Sequence, residues 1–178
     1  MRSVPRVIND RIVPHDPAWH AAFELEAQAL RAVLGTSVSA LHHVGSTSVQ
    51  GIYAKPIIDM MGVADDLDAV DARTAAIEAL GYEAMGAFGI SDRRYFRRFA
   101  ADGARTHHLH IFRQGSLHVT RHLAFRDYLR THAGIAAQYS ALKEKLIAQG
   151  AGWEAYLDGK EPFMSRVERD ALAWAAGP

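Results

Sequence analysis

Apolar positions along the chain change spacing twice, from helical to alternating and back to helical, and the elements follow from that. Trp19, Phe23, Leu30 and Leu34 recur on one side of a 3.6-residue turn. Asp16 supplies an N-cap, Pro17 a first-turn proline and Gly35 a stop, so a helix with one inward face is predicted. Trp19, at the head of that stripe, reads as core rather than as a stacking platform for a base. Val38 to Val44 alternates as a strand, whereas Pro56 to Val63 is apolar on both faces except at Asp59 and reads as a central strand. Asp65 or Asp66 then caps a second helix with Leu67, Val70, Thr74, Ile77 and Leu80 on one side, closed by Gly81. Tyr82 to Met85, Tyr95 to Ala100 and Thr106 to Phe112 are short runs between Gly-, Asp- and Ser-containing turns, expected as strands of a mixed or antiparallel sheet.

From Ser116 the period is helical again. Leu123, Tyr128 and Leu129 begin one helix, and Ile135, Tyr139, Leu142 and Leu146 form another that ends near Gly150. Glu161-Pro162 opens a last helix with Phe163, Val167, Ala171 and Trp174. Met1 to Val13 mixes charge with isolated aliphatic residues and is compatible with a short strand or an arm. The expected class is α+β in one domain, with a mixed sheet and flanking helices over about 1–115 and a helical lobe over about 116–178.

Composition narrows the function classes. At 178 residues and 49% hydrophobic, the chain can bury about two thirds of its unfolded surface in one domain. Lys plus Arg and Asp plus Glu are both 20, so no basic field collects nucleic acid in bulk and a small or locally bound partner is expected. The absence of Cys excludes disulfides, thiolate metal sites and cysteine nucleophiles. No apolar run approaches the ~20 residues of a membrane span and no secretory leader is recognisable, so a cytoplasmic location is expected.

The chemistry concentrates between His43 and Asp59. Gly45-Ser46-Thr47-Ser48 is a run of small residues whose N–H groups can line an anion-binding concavity. Asp59, in an apolar strand, needs a cation, a metal ion or several N–H donors, because an unpaired buried carboxylate costs several kcal/mol. Lys55 is a candidate cation; the plainer alternative makes Asp59 a turn cap and Lys55 a solvated strand-end charge. His108 and His110 share one face of their strand, with His107, Leu109 and Ile111 on the other, and such a pair plus an oxygen ligand can chelate a divalent ion. His42 and His43 are weaker candidates, His43 the better for preceding the Gly-Ser turn. Arg93, Tyr95 and Arg97 would share one strand face and Arg94, Phe96 and Arg98 the other. Pattern alone favours an arginine-protected edge strand, with triphosphate or base binding as the second reading.

The run HHVGSTSVQGIYAKPIIDMMGV resembles the signature of the GrpB family. The likeness continues through Asp16-Pro17-Ala18-Trp19, Gly81-Tyr82, His108-Leu109-His110 and Phe125-Arg126-Asp127-Tyr128-Leu129-Arg130. It closes on Tyr139 with Leu142-Lys143 and on the Tyr156, Lys160, Phe163 spacing. The resemblance implies a DNA-polymerase-beta-like nucleotidyltransferase fold. Active members of that superfamily carry Gly-Ser, a short helix, a strand with two acidic residues one apolar residue apart, and a third acid on a later strand. Asp59 takes the second acidic position and Ile57 the first, so one bridging ligand of a two-metal clamp is missing. The resemblance also implies that His108 and His110 stand in for the third acid.

These readings combine into a metal-assisted nucleotidyltransferase acting on a nucleoside triphosphate and an unknown acceptor. Ser46, Lys55 and Asp59 are the expected catalytic residues, and Gly45, Ser46, Thr47, Lys55, Arg94, Arg97 and Arg126 the expected nucleotide-binding set. Asp59, His108 and His110 would hold Mg²⁺ or Mn²⁺, or Zn²⁺ given the nitrogen ligands. Arg126 and Lys143 are the candidates from the lobe, although each neighbours an acid and fits a solvated face. The alternative is a catalytically inactive nucleotide- or phosphate-binding module, as where GrpB-like sequences are joined to dephospho-coenzyme A kinase. A metal-dependent hydrolase is weaker, because no HExxH motif is present. A homo-oligomer is compatible with the sequence.

Overall fold

The computed structural model describes residues 12–150 and 152–177. Most of the expected Met1 to Val13 segment lies outside them, and Val13 makes a single antiparallel bridge to Ala54. Helix α1 (Ala18–Leu34) begins where Asp16 Oδ1 accepts the Ala18 N–H at 2.8 Å, and it ends at Gly35, whose φ of 55° leaves the helical range.

Five strands follow in one mixed sheet: β1 (Ala40–Val44), β2 (Ile58–Ala64), β3 (Tyr82–Ala84), β4 (Arg93–Phe99) and β5 (Arg105–Arg113). Their spatial order is β1-β2-β5-β4-β3, parallel between β2 and β5 and antiparallel elsewhere. The middle position therefore belongs to β5, and the apolar β2 lies between it and the edge strand β1. The arginine-rich β4 is interior, covered on its far side by β3, so its arginines do not guard an edge.

Between β2 and β3 the expected single helix is two, α2 (Leu67–Asp71) and α3 (Thr74–Ala79). Asp66 caps the first. The Arg73 N–H bonds back only three residues, to Val70, which tightens the turn and ends α2. Phe23, Leu30, Met60, Leu109 and Ile111 belong to the main core between one sheet face and α1 to α3.

Helices α4 (Leu117–Thr131), α5 (Ala133–Ala148) and α6 (Trp153–Ala176) form the lobe, as the period predicts. The last helix starts well before Pro162, which sits in its interior and removes one backbone donor. Buried Tyr156 on one side of the proline and Val167 and Ala171 on the other anchor the helix across it. Leu129, Ala136, Tyr139 and Val167 enclose Val49 and Ile52 from the segment after β1. A third cluster, Val44, Met61 and Phe112 with Val119 and Leu123, seats α4 on the second sheet face. Among the described residues no helix is long and apolar enough to cross a membrane.

Candidate active site

Strand register decides which polar groups meet. Val44 pairs with Asp59, Asp59 with His108 and Met61 with His110, so Asp59 and both imidazoles emerge on the sheet face toward the lobe. Asp59 Oδ1 accepts the His108 Nδ1–H at 2.8 Å, and ligand atoms of Asp59, His108 and His110 all lie within 4.8 Å of one another. Two nitrogens and one carboxylate oxygen at that spacing can chelate a divalent ion, which would take the place of the proton between Asp59 and His108. Burial pushes the Asp59 carboxyl up, but the His108 hydrogen bond and the neighbouring imidazoles outweigh it and hold the carboxyl below its ordinary value. His110, stacked on Tyr95 at 4.8 Å, is driven down to about 3 by burial and stays neutral, the form that ligates.

Gly45 crosses directly over this carboxylate. Its φ of 69° is a glycine conformation, and a Cβ there would stand 2.5 Å from Asp59 Oδ2. The glycine is thus required by the passage of the turn over Asp59. In the turn itself the Ser48 and Val49 N–H groups are spent on Gly45 and Ser46 carbonyls, so they do not face a shared concavity. Thr47 is likewise a stitch, because its hydroxyl donates to the Ile57 carbonyl at 3.1 Å and accepts from His43 Nε2 at 2.9 Å.

Two hollows meet at Ser46 and Asp59. One, of about 210 Å³, is lined by Lys55, Arg105, Lys143 and Lys160 together with His108 and Tyr156. Lys143 is 2% exposed, donates to Ser46 Oγ at 2.5 Å and to the Tyr53 carbonyl at 3.0 Å, and sits 4.0 Å from the Tyr139 ring centroid. Burial, with the nearby Lys160 charge, brings its amine down to about 7; burial and Lys55 bring Lys160 to about 8. Four cationic side chains surround one small hollow, and the amines of two of them are brought down chiefly by burial and by the neighbouring lysine charges against the opposing pull of Asp59, an arrangement whose chemistry suits an anion. The second hollow, of about 240 Å³, is walled by Val44, Val49, Phe125, Leu129 and Met164 and carries His110, His122 and Arg126.

The family model for GrpB protein matches residues 10–170. The chain belongs to the GrpB family. It is 39% identical over 167 residues to UPF0157 protein YqkA of Bacillus subtilis, covering 93% of this chain but 48% of that protein. UPF0157 protein PA4798 of Pseudomonas aeruginosa is 35% identical, with 96% of this chain and 72% of that protein covered. The crystal structure of conserved protein GrpB from Enterococcus faecalis superposes at a TM-score of 0.86 with 39% identity, over 93% of this chain and 99% of that one. A MgGTP-bound Cid1 poly(U) polymerase superposes at 0.55 with 12% identity, over 76% and 44% of the two chains, a likeness of fold alone.

Against that GrpB framework, the structure gathers Gly45, Ser46, Thr47, Lys55, Asp59, His108 and His110 around the two hollows, and Arg126 reaches the second. Arg126 is held by Asp127 at 2.7 and 3.1 Å and donates to the His43 carbonyl at 3.1 Å, so it braces the strand before the turn. Arg94 is not brought there: it lies on the opposite sheet face, in a two-pronged pair with Asp71. Arg97 shares the face of His108 but is turned to Glu83 at 2.9 Å on β3 and lines neither hollow. His43 points away toward α1, stacked on Phe23 at 4.8 Å, and burial lowers it to about 4.

Lys143, a candidate from the lobe for which a solvated face beside Glu144 was the plainer alternative, is the most deeply buried cation of the site. Arg105 carried no signal in the sequence, and Lys160 stood only within the Tyr156, Lys160, Phe163 motif spacing without a role, since each acquires its place only when β5 and α6 close on the turn. Ile57 lines the cationic hollow beside Asp59 with an apolar side chain.

Proposed function

We propose that this protein binds the polyphosphate of a nucleoside triphosphate in the Lys55, Arg105, Lys143, Lys160 hollow and transfers its nucleotidyl group to an acceptor. The observation that carries the reading is the junction of that cationic hollow with the Asp59, His108, His110 cluster at Ser46. The likeness of fold to a nucleotide-transferring polymerase supports it. Lysine and arginine side chains take up the charge that accumulates on the leaving pyrophosphate, and Ser46, gripped by Lys143, fixes the phosphate next to Asp59. Asp59, His108 and His110 would hold the divalent ion, Mg²⁺ or Mn²⁺ with Zn²⁺ as a third option. That ion would supply charge neutralisation at the reacting phosphate.

A second reading, a nucleotide- or phosphate-binding module without chemistry, is favoured by Ile57. It also agrees with the 25% identity, over 93% of this chain and 46% of the other, to dephospho-CoA kinase of Mycobacterium bovis, where a homologous segment belongs to a longer enzyme.

Thermal shift with ATP, GTP, CTP and UTP, with and without Mn²⁺, tests binding, and pyrophosphate release tests turnover. A triphosphate at 100 times its Kd stabilises by about 2.7 kcal/mol. Metal-dependent stabilisation with pyrophosphate release supports transfer, and stabilisation without turnover supports the binding module. No stabilisation by any triphosphate sinks transfer and nucleotide binding alike.

A further inference from the structure

The two hollows share Ser46 and Asp59 and otherwise have different walls. In-line displacement at phosphorus needs its entering and leaving oxygens on opposite sides. With the polyphosphate among the lysines, the second hollow is where an entering oxygen comes from. Its lining is mainly apolar, and both of its arginines are already paired, Arg121 with Glu168 at 3.0 Å and Arg126 with Asp127 at 2.7 Å. That environment selects against an acceptor with a phosphate or carboxylate of its own.

One imidazole in this hollow has its tautomer fixed by a hydrogen bond to backbone. His122 Nδ1 lies 2.6 Å from the His118 carbonyl oxygen, which can only accept, so Nδ1 carries the hydrogen and Nε2 the lone pair. The ring is braced by Phe112, with centroids 5.8 Å apart, and stands outside the Asp59, His108, His110 set.

We propose that the second hollow binds the acceptor, a small alcohol with an uncharged apolar body, and that His122 Nε2 takes the proton from its hydroxyl. This rests on the triphosphate reading of the neighbouring hollow. The hydroxyl oxygen forms a bond to the α-phosphorus as the bond from that phosphorus to the β-bridging oxygen breaks. The electron pair departs with pyrophosphate, and the hydroxyl proton passes to His122.

The test uses the full chain with Mn²⁺, ATP and benzyl alcohol or butan-1-ol, reading the adenylyl ester and pyrophosphate together. The expected result is ester formation that falls about 100-fold or more in His122→Gln, while stabilisation by ATP and affinity for Mn²⁺ stay at wild-type values. Nitrogen-15 spectra of the ligand-free wild type should show the His122 Nδ1–H tautomer, a readout independent of turnover and of how the variant folds. A wild-type rate in the variant, weakened Mn²⁺ binding in it, an Nε2–H tautomer, or preference for glycerol 3-phosphate as acceptor overturns the proposal. So does absence of ester from a wild type that ATP stabilises, which leaves triphosphate binding standing. Failure of ATP and the other triphosphates to stabilise the wild type removes the underlying reading as well.

Discussion

Lys143 Nζ on α5 lies 2.5 Å from Ser46 Oγ in the turn after β1, although the two residues are 97 positions apart. This bond ties the lobe to the sheet at the point where the two hollows meet. It also places a nearly inaccessible amine where its charge is costly unless an anion arrives.

Stability should therefore rise with pH above neutrality. The Lys143 amine sits near 7 in the folded protein, against 10.5 ordinarily. Between those values the unfolded chain holds a proton that the folded chain has released, so the unfolding free energy climbs as pH increases, by up to about 1.4 kcal/mol per pH unit. Urea midpoints measured from pH 7 to 9.5 should show the climb, and Lys143→Met should reduce it most clearly between pH 7 and 8, below the range in which Lys160, brought down to about 8, adds a rise of its own.

An anion in the cationic hollow reverses that cost. Inorganic tripolyphosphate restores the Lys143 and Lys160 protons, so its affinity should increase as pH is lowered from 9 to 7. Lys143→Met should weaken it by roughly 10- to 100-fold, the value of one hydrogen bond to a charged group. Titration calorimetry at the two pH values, with proton uptake read from buffers of different ionisation enthalpy, checks both statements.

Gly45→Ala should be damaging out of proportion to its size. The added methyl meets Asp59 Oδ2 at 2.5 Å and the backbone is held at φ 69°. A loss of about 1–3 kcal/mol is expected from the strained conformation. Mn²⁺ affinity should fall with it, because the carboxylate must move. Chemical denaturation and metal titration of the same variant separate the two effects.

Ile57→Asp distinguishes the two functional readings. The residue lines the cationic hollow beside Asp59, so the substitution supplies a second carboxylate there. Tighter Mg²⁺ binding and faster pyrophosphate release are expected if the missing acid limits chemistry. Unchanged release with tighter metal binding would favour the binding module.

Arg94→Ala serves as the control on the opposite face. Its pair with Asp71 is a surface interaction worth about 1 kcal/mol or less. Triphosphate-induced stabilisation should match wild type, and a large loss would mean that the sheet faces have been assigned wrongly.

Local pattern was enough for the strand carrying Asp59, for the shared face of His108 and His110 and for the glycine-serine turn, because side-chain direction in a strand follows from the period of two alone. The same rule separated the two sets of arginines on β4 without saying which set faced the lobe. Asp16 and Asp66 were likewise readable as caps, since a cap is made within a few residues of itself. Pro162 was misleading for the converse reason: local chemistry opens a helix there, whereas packing of Tyr156, Val167 and Ala171 carries α6 through it.

The sequence by itself determined the succession of helical and strand segments, the absence of cysteine and the shared strand face of His108 and His110, all properties of short spacings and composition, whereas the pairing of β2 with β5 that brings Asp59 to those imidazoles belongs to the tertiary structure. Tertiary structure alone decided that Lys143 is buried against Ser46, that Lys160 and Arg105 join Lys55, that His43 and Arg94 face away, and that His122 looks into the apolar hollow. These depend on how α4, α5 and α6 close over the sheet. Burial and the company of other charges are set by long-range packing, and no local pattern encodes the partner that arrives from the far end of the chain.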